Sequence, residues 1–254
     1  MNVKSVTSNQ AGIYKNLEEV VRKYATTSFL RPVADHTREA FEKVCEFVEK
    51  FYGVECACPD GGSRKSFPIV LDSGCGTGES SIHLAQKFPG VPVIGIDKSA
   101  ERLTKAGNEK QLEQAADGLA EIPANVFWCR AELLDFWRLA LEKVEAGEWN
   151  VVYHALYYPN PWPKESEATR RFHLHPIFPT LLKLGRVTEL RTNWEIYARE
   201  YEKSARIAGG ILSVNLSVTC GSFDPVNPET AFERKYSLAG QTLWKVVTDC
   251  QSPC

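Results

Sequence analysis

The chain has 254 residues, 43% hydrophobic and 24% charged, with 17 Gly and 14 Pro. That length allows one large domain or two small ones, and the composition excludes collagen-like, low-complexity and disordered classes. The 30 Lys and Arg against 32 Asp and Glu leave a net charge of −2, which argues against unspecific coating of nucleic acid and allows only a local basic patch. No apolar run is long enough to span a membrane. The opening MNVKSVTSNQAGIYKN lacks the apolar stretch of a secretory signal, so the expected compartment is the cytoplasm, with nucleus and organelle left open. The eight cysteines (Cys45, Cys56, Cys58, Cys75, Cys129, Cys220, Cys250 and Cys254) contain no C-x-x-C pair. They are expected as reduced thiols, several in the core, with no metal site.

Residues 36–52 are expected as a helix, because Phe41, Val44, Cys45, Val48 and Tyr52 recur at helical spacing. Residues 53–66 carry turn formers and charges and read as a linker. Residues 1–66 are therefore expected to form an N-terminal helical extension, and residues 67–254 the main domain. From Phe67 strands alternate with helices. Strands are expected at 69–73, 92–97, 126–130, 149–157, 186–192, 211–219 and 241–249. Helices are expected at 79–88, 99–117 (Ser99 as N-cap), 132–146, 168–184 and 194–208. The last two strands are joined by a long loop with Pro225, Asn227 and Pro228. This alternation predicts an α/β fold, a doubly wound, mostly parallel seven-stranded sheet ending in an antiparallel hairpin. His173 and His175, two apart on the predicted helix 168–184, do not share a face and are no metal pair.

The segment Asp72-Ser73-Gly74-Cys75-Gly76-Thr77-Gly78 lies between the first strand and its helix. Gly74, Gly76 and Gly78 let the backbone turn sharply and let a ligand approach closely. Asp97 ends the second strand, where a carboxylate can accept both hydroxyls of an adenosine ribose. Asp72 can hold a cationic ammonium group. Glu132, just past the third strand, can accept from an adenine amine, or can simply favour the start of a helix. The spacing is G-x-G-x-G, not the G-x-G-x-x-G of dinucleotide sites. A cation-holding carboxylate without that fingerprint points to S-adenosylmethionine more than to NAD.

After the fourth strand comes Tyr157-Tyr158-Pro159-Asn160-Pro161-Trp162-Pro163-Lys164. Three prolines make a stiff loop at a strand's carboxyl end. Its amide and aromatic plane suit a flat, hydrogen-bonding substrate such as a base.

In these residues the sequence resembles the tRNA (guanine-N7)-methyltransferases of the bacterial single-chain type. Their fourth strand ends in P-D-P-W-x-K followed by paired arginines, matched here by PNPWPK with Arg170 and Arg171. Their T-D-W-x-x-Y segment is matched by Thr192-Asn193-Trp194-Glu195-Ile196-Tyr197, and their T-x-F-E segment by Thr230-Ala231-Phe232-Glu233, followed by Gly240 and Trp244. The resemblance covers about residues 67–249. It implies a Rossmann-like class I methyltransferase with Asp72, Gly74, Gly76, Gly78, Asp97, Glu132 and Asn160 lining an S-adenosylmethionine pocket. It implies substrate contacts from Lys164, Asn193, Thr230 and Glu233, with Arg170 and Arg171 on tRNA phosphates. No obligatory protein partner is expected.

Three departures bear on mechanism. Asn160 and Asn193 stand where the family has Asp, Glu167 stands where it has a histidine, and Asp72 replaces the commoner Glu. Asn160 is expected as the catalytic positioning group. An Asn between prolines before an aromatic is also similar to the N-P-P-[YFW] loop of amino-group methyltransferases. Two alternatives therefore stay open at this level: a methyltransferase of the same fold acting on another acceptor, and a relative that binds tRNA or a partner without turnover.

Overall fold

A computed structural model describes residues 5–53, 66–108 and 121–251. Its strands form one seven-stranded sheet in the order β3-β2-β1-β4-β5-β7-β6. The strands are β1 (Phe67–Ser73), β2 (Val93–Asp97), β3 (Val126–Arg130), β4 (Trp149–Tyr157), β5 (Val187–Thr192), β6 (Leu216–Phe223) and β7 (Leu243–Cys250). The predicted strands are present within a few residues, except that the sixth, expected at 211–219, starts at Leu216 because the preceding helix runs on to Leu212. By contacts the chain divides into two compact units, one of residues 32–155, the other of residues up to 31 together with 156 onward.

In the first unit β1 pairs parallel with β2 and β4, and β2 with β3. Ile69, Val70, Leu71, Val93, Ile94 and Ile96 are fully buried, as strands covered on both faces require. Side chains alternate across a strand, and the last two residues of β1 show which helix covers which face. Asp72 takes the hydroxyls of Ser80 and Ser81, from α3 (Glu79–Lys87). Ser73 takes the indole N–H of Trp137, from α5 (Leu133–Glu145). Between these helices, α4 (Ala100–Leu103) starts at Ser99, whose hydroxyl accepts from the Arg102 amide as predicted. Most of the remainder of the predicted helix 99–117, like most of the predicted linker, lies outside the described residues.

Helix α2 (Asp35–Phe51) buries Thr37, Phe41, Val44 and Val48. Phe41 sits edge-on to Phe136 of α5 at 5.0 Å, and Phe47 packs on Phe127 of β3 at 5.1 Å.

In the second unit β5 and β6 both pair antiparallel with β7. Helix α7 (Glu195–Leu212) buries Tyr197, Tyr201, Ala205 and Ala208, and α1 (Leu17–Ala25) packs on it through Leu17 and Val21. Sequence periodicity did not single out α1. Two expectations are corrected here. The segment 168–184 is not one helix. It is two short 3-10 turns, Glu165–Arg170 and Phe172–Leu174, followed by α6 (Phe178–Leu184). Pro176 explains the break, since a proline forces the residue before it out of the helical region, and His175 is extended at φ −109° and ψ 150°. The expected loop between β6 and β7 contains a helix, α8 (Ala231–Leu238).

Candidate active site

The glycine turn follows β1. Gly74, Gly76 and Gly78 have φ of +81°, +61° and +83°, a region side chains rarely adopt. Asp72 is buried, and its Oδ2 accepts from Ser80 Oγ and Ser81 Oγ, both at 2.7 Å. The carboxylate expected to hold an ammonium group therefore also closes the turn onto the first residues of α3. Asp97 fixes the other side, with Oδ2 accepting from the Gly76 amide at 3.1 Å and Oδ1 from the Ser99 amide at 2.7 Å. Arg102 reaches Oδ1 at 3.1 Å and is itself half exposed. A carboxylate has about four acceptor positions, so Asp97 keeps one on Oδ2 and gains another when Arg102 swings out.

A Cβ added at Gly74 meets nothing within 4 Å, and at Gly76 only the Gly74 carbonyl at 4.0 Å. The turn thus presents bare backbone to open space beside a buried strand-end carboxylate, and the residues present fit an adenosyl group. Gly78 differs, because its Cβ would lie 2.6 Å from Trp128 Nε1. Gly78→Ala is expected to destabilise the protein by about 2 kcal/mol through left-handed strain and overlap. A thermal melt should show a drop of roughly 4–8 °C; an unchanged melt contradicts this close approach. Glu132 precedes α5 and is half-buried. Its backbone N–H donates to Thr37 of α2 at 3.2 Å, so α2 helps to place it. Beneath the turn, Ser73 Oγ lies 2.8 Å from both Trp137 Nε1 and His154 Nε2. Burial pushes the His154 imidazole down to about 3, so it is neutral.

The proline loop follows β4. Asn160 is exposed, and its Oδ1 accepts from the Trp162 amide at 3.3 Å. Tyr158 and Trp162 are left-handed at φ +50° and +45°, which costs roughly 1–2 kcal/mol apiece. Lys164 is exposed. Arg170 is exposed, with its guanidinium 4.5 Å over the Trp162 ring and 3.2 Å from Glu167 Oε1. Glu167, standing where the family has a histidine, thus offsets part of the Arg170 charge.

Arg171 corrects an expectation. It is 0% exposed and reaches no solvent. Its guanidinium donates to Glu200 Oε2 at 2.6 Å, Gln10 Oε1 at 3.0 Å, and the carbonyls of Trp162 at 2.9 Å and Pro161 at 3.2 Å. A phosphate contact from this side chain is ruled out while the pair is intact. Burial works against the Glu200 carboxylate, but hydrogen bonds from His173 and Arg171 and the Arg171 charge outweigh it and hold its pKa at about 2. Burial pushes His173 below its ordinary value, against the opposing pull of the Glu200 carboxylate 3.0 Å from its Nε2.

Asn193 donates from Nδ2 to Gln241 Oε1 at 3.0 Å. Gln241 lines a cavity of about 520 Å³ with Phe223, Asp224 and Leu243 among others. Thr230 caps the helix, its Oγ1 accepting from the Glu233 amide at 3.0 Å, while Glu233 Oε2 accepts from the Glu229 amide, one residue before the cap, at 2.9 Å. Glu233 is fully buried and takes Arg191 on both oxygens at 2.9 and 3.0 Å. Arg191 also donates to Glu189 at 2.6 Å and lies 4.4 Å over the Tyr157 ring. These two residues, expected as substrate contacts, start α8 and anchor it to β5. The sequence carried a signal for that helix, since T-x-x-E is a capping signature. Nothing local pointed to Arg191, Glu189, Glu200 or Gln10 as members of buried networks.

The sheet order, with β7 alone antiparallel to its neighbours and a glycine turn after β1, defines the α/β fold of class I methyltransferases. The chain belongs to the methyltransferase family described as "Putative methyltransferase" (Methyltransf_4), whose profile matches residues 66–246. It is 27% identical over 227 residues to a protein of Neisseria gonorrhoeae named tRNA (guanine-N(7)-)-methyltransferase, covering 84% of this chain and 86% of that one. A protein of the same name from Mycolicibacterium gilvum is 29% identical over 196 residues, covering 70% of this chain and 67% of that one. Among solved structures, one titled "Structure of an antibiotic related Methyltransferase" superposes with a TM-score of 0.49 at 13% identity, covering 90% of this chain and 98% of that one.

Proposed function

We propose that this protein is an S-adenosylmethionine-dependent tRNA (guanine-N7-)-methyltransferase, cytoplasmic and needing no protein partner, with residues 67–254 as its catalytic domain. The observation that carries this reading is the ordered set of four segments (the glycine turn, PNPWPK, TNWEIY and TAFE) in a chain whose relatives bear that name over most of its length. Among the described residues no helix is long and apolar enough to cross a membrane, and no group of His, Cys, Asp and Glu is placed to hold a metal ion.

When bound, the cofactor supplies a methyl group on a sulfonium sulfur. The bare backbone of Gly74 and Gly76 would receive it, Asp97 would accept from its ribose and Glu132 from its adenine amine. Asp72 holds the turn in shape for its amino-acid end. Guanine N7 carries a lone pair and no proton, so no side chain would have to remove a proton for it to accept that methyl group. Catalysis then rests on alignment and charge placement. Asn160 aligns the acceptor through its amide. Lys164 and Arg170 contact phosphates, and Asn193, with Gln241 behind it, contacts the substrate.

Incubating the enzyme with labelled cofactor and unmodified bulk tRNA, followed by nucleoside analysis, tests the reading. 7-Methylguanosine is the expected product. An N-methylated exocyclic amine instead supports the amino-group chemistry that Asn160 between prolines also suits, and no labelled nucleoside at all overturns both. Asn160→Asp keeps the acceptor that the Trp162 amide uses and adds a charge that favours the cationic product. Its yield of 7-methylguanosine should equal or exceed that of the wild type; loss of activity would mean that this amide acts in another way.

A further inference from the structure

The strained conformation of the proline loop persists only if its surroundings over-determine it, and its partners come from far away in the chain. Three successive carbonyls are held: Pro161 and Trp162 by the Arg171 guanidinium, and Pro163 by the Ser8 hydroxyl at 2.5 Å. The Glu165 amide just beyond donates to Asn9 Oδ1 at 3.1 Å. Gln10 completes the clasp. Its Oε1 accepts from Arg171, and its Nε2 donates to Glu200 Oε1 and to the Gly12 carbonyl, both at 2.6 Å. The Tyr14 amide donates to the same Glu200 oxygen at 2.7 Å.

We infer that residues 8–10, seated on the buried Arg171–Glu200 pair, are a positioning strap that sets where the Asn160 amide stands. Prolines 159, 161 and 163 have no N–H to tie the loop from within, so its carbonyls are the available handles, and the strap and Arg171 grip them in sequence. Ser8, Asn9 and Gln10 are positioning residues, acting on the acceptor through Asn160. This inference rests on the reading of Asn160 as the aligning group.

The test compares the full-length wild type with a Ser8→Ala, Asn9→Ala double variant and a Ser8→Thr, Asn9→Asp variant that keeps a hydroxyl and an acceptor. Ser8 and Asn9 are not core residues, so folding is expected to survive. The first readout is hydrogen exchange at the Trp162 amide, whose partner Asn160 neither variant alters. The second is methyl transfer to tRNA. In the alanine variant exchange should rise and kcat fall about tenfold at unchanged KM for cofactor and tRNA, as loss of alignment predicts. The Ser8→Thr, Asn9→Asp variant should recover both. Unchanged Trp162 exchange overturns the strap, and so does faster exchange with unchanged kcat. A wild type that makes no 7-methylguanosine sinks the functional reading instead, and Trp162 exchange still decides the strap.

Discussion

Asp97→Ala should weaken binding of S-adenosylmethionine and of its demethylated product about a hundredfold, because two hydrogen bonds to a charged acceptor are lost together. Calorimetric titration of the purified protein measures this directly. The carboxylate has a second task, holding the Gly76 and Ser99 amides, so alanine also loosens the turn. Asp97→Asn keeps one acceptor oxygen and should lose roughly tenfold. Its NH2 faces one of the two amides that the carboxylate holds, so its thermal melt should fall between those of the wild type and the alanine variant. An Asp97→Ala protein that binds as tightly as the wild type refutes the placement of the ribose at the end of β2.

Arg171→Ala should be the most destabilising single change in the second unit. It leaves Glu200 buried without its cation and frees the Pro161 and Trp162 carbonyls, a loss of about 3–5 kcal/mol. The effect depends on pH with a definite sign. The Glu200 carboxyl is held at about 2 in the folded chain against an ordinary value of 4.5, so its contribution is complete above 4.5 and fades as pH falls toward about 2. That contribution amounts to about 3 kcal/mol. Urea melts at pH 7 and pH 4 should therefore show a smaller gap between wild type and variant at the lower pH. Equal midpoints at pH 7 would show that the pair contributes nothing.

Arg170 and Arg171 mark the boundary of what the sequence reveals. They are adjacent and chemically identical, yet one stacks on Trp162 in solvent and the other is wholly enclosed. The difference is set by Glu200 and Gln10, which are 29 and 161 residues away, and no local pattern records such pairings. By contrast, strands such as β1 and β2 are legible as short, buried apolar runs, and the glycine turn because its backbone takes positive φ at three alternate positions, which glycine tolerates. The helix expected at 168–184 is interrupted because Pro176 forces His175 into an extended conformation. The TAFE segment that resembles a binding motif also spells the cap of α8, with Thr230 accepting from the Glu233 amide. A motif can be recognised correctly by family and still be held in place for structural reasons, as Thr230 and Glu233 show.

The union of Gln10 with Glu200 has a consequence for biosynthesis. At roughly 5–20 residues per second, the 190 residues between them take on the order of ten to forty seconds to emerge. Until α7 has emerged, Gln10 lacks its Glu200 partner and the segment around it stays accessible to chaperones and proteases, so the proline loop is fully clasped only after α7 is made.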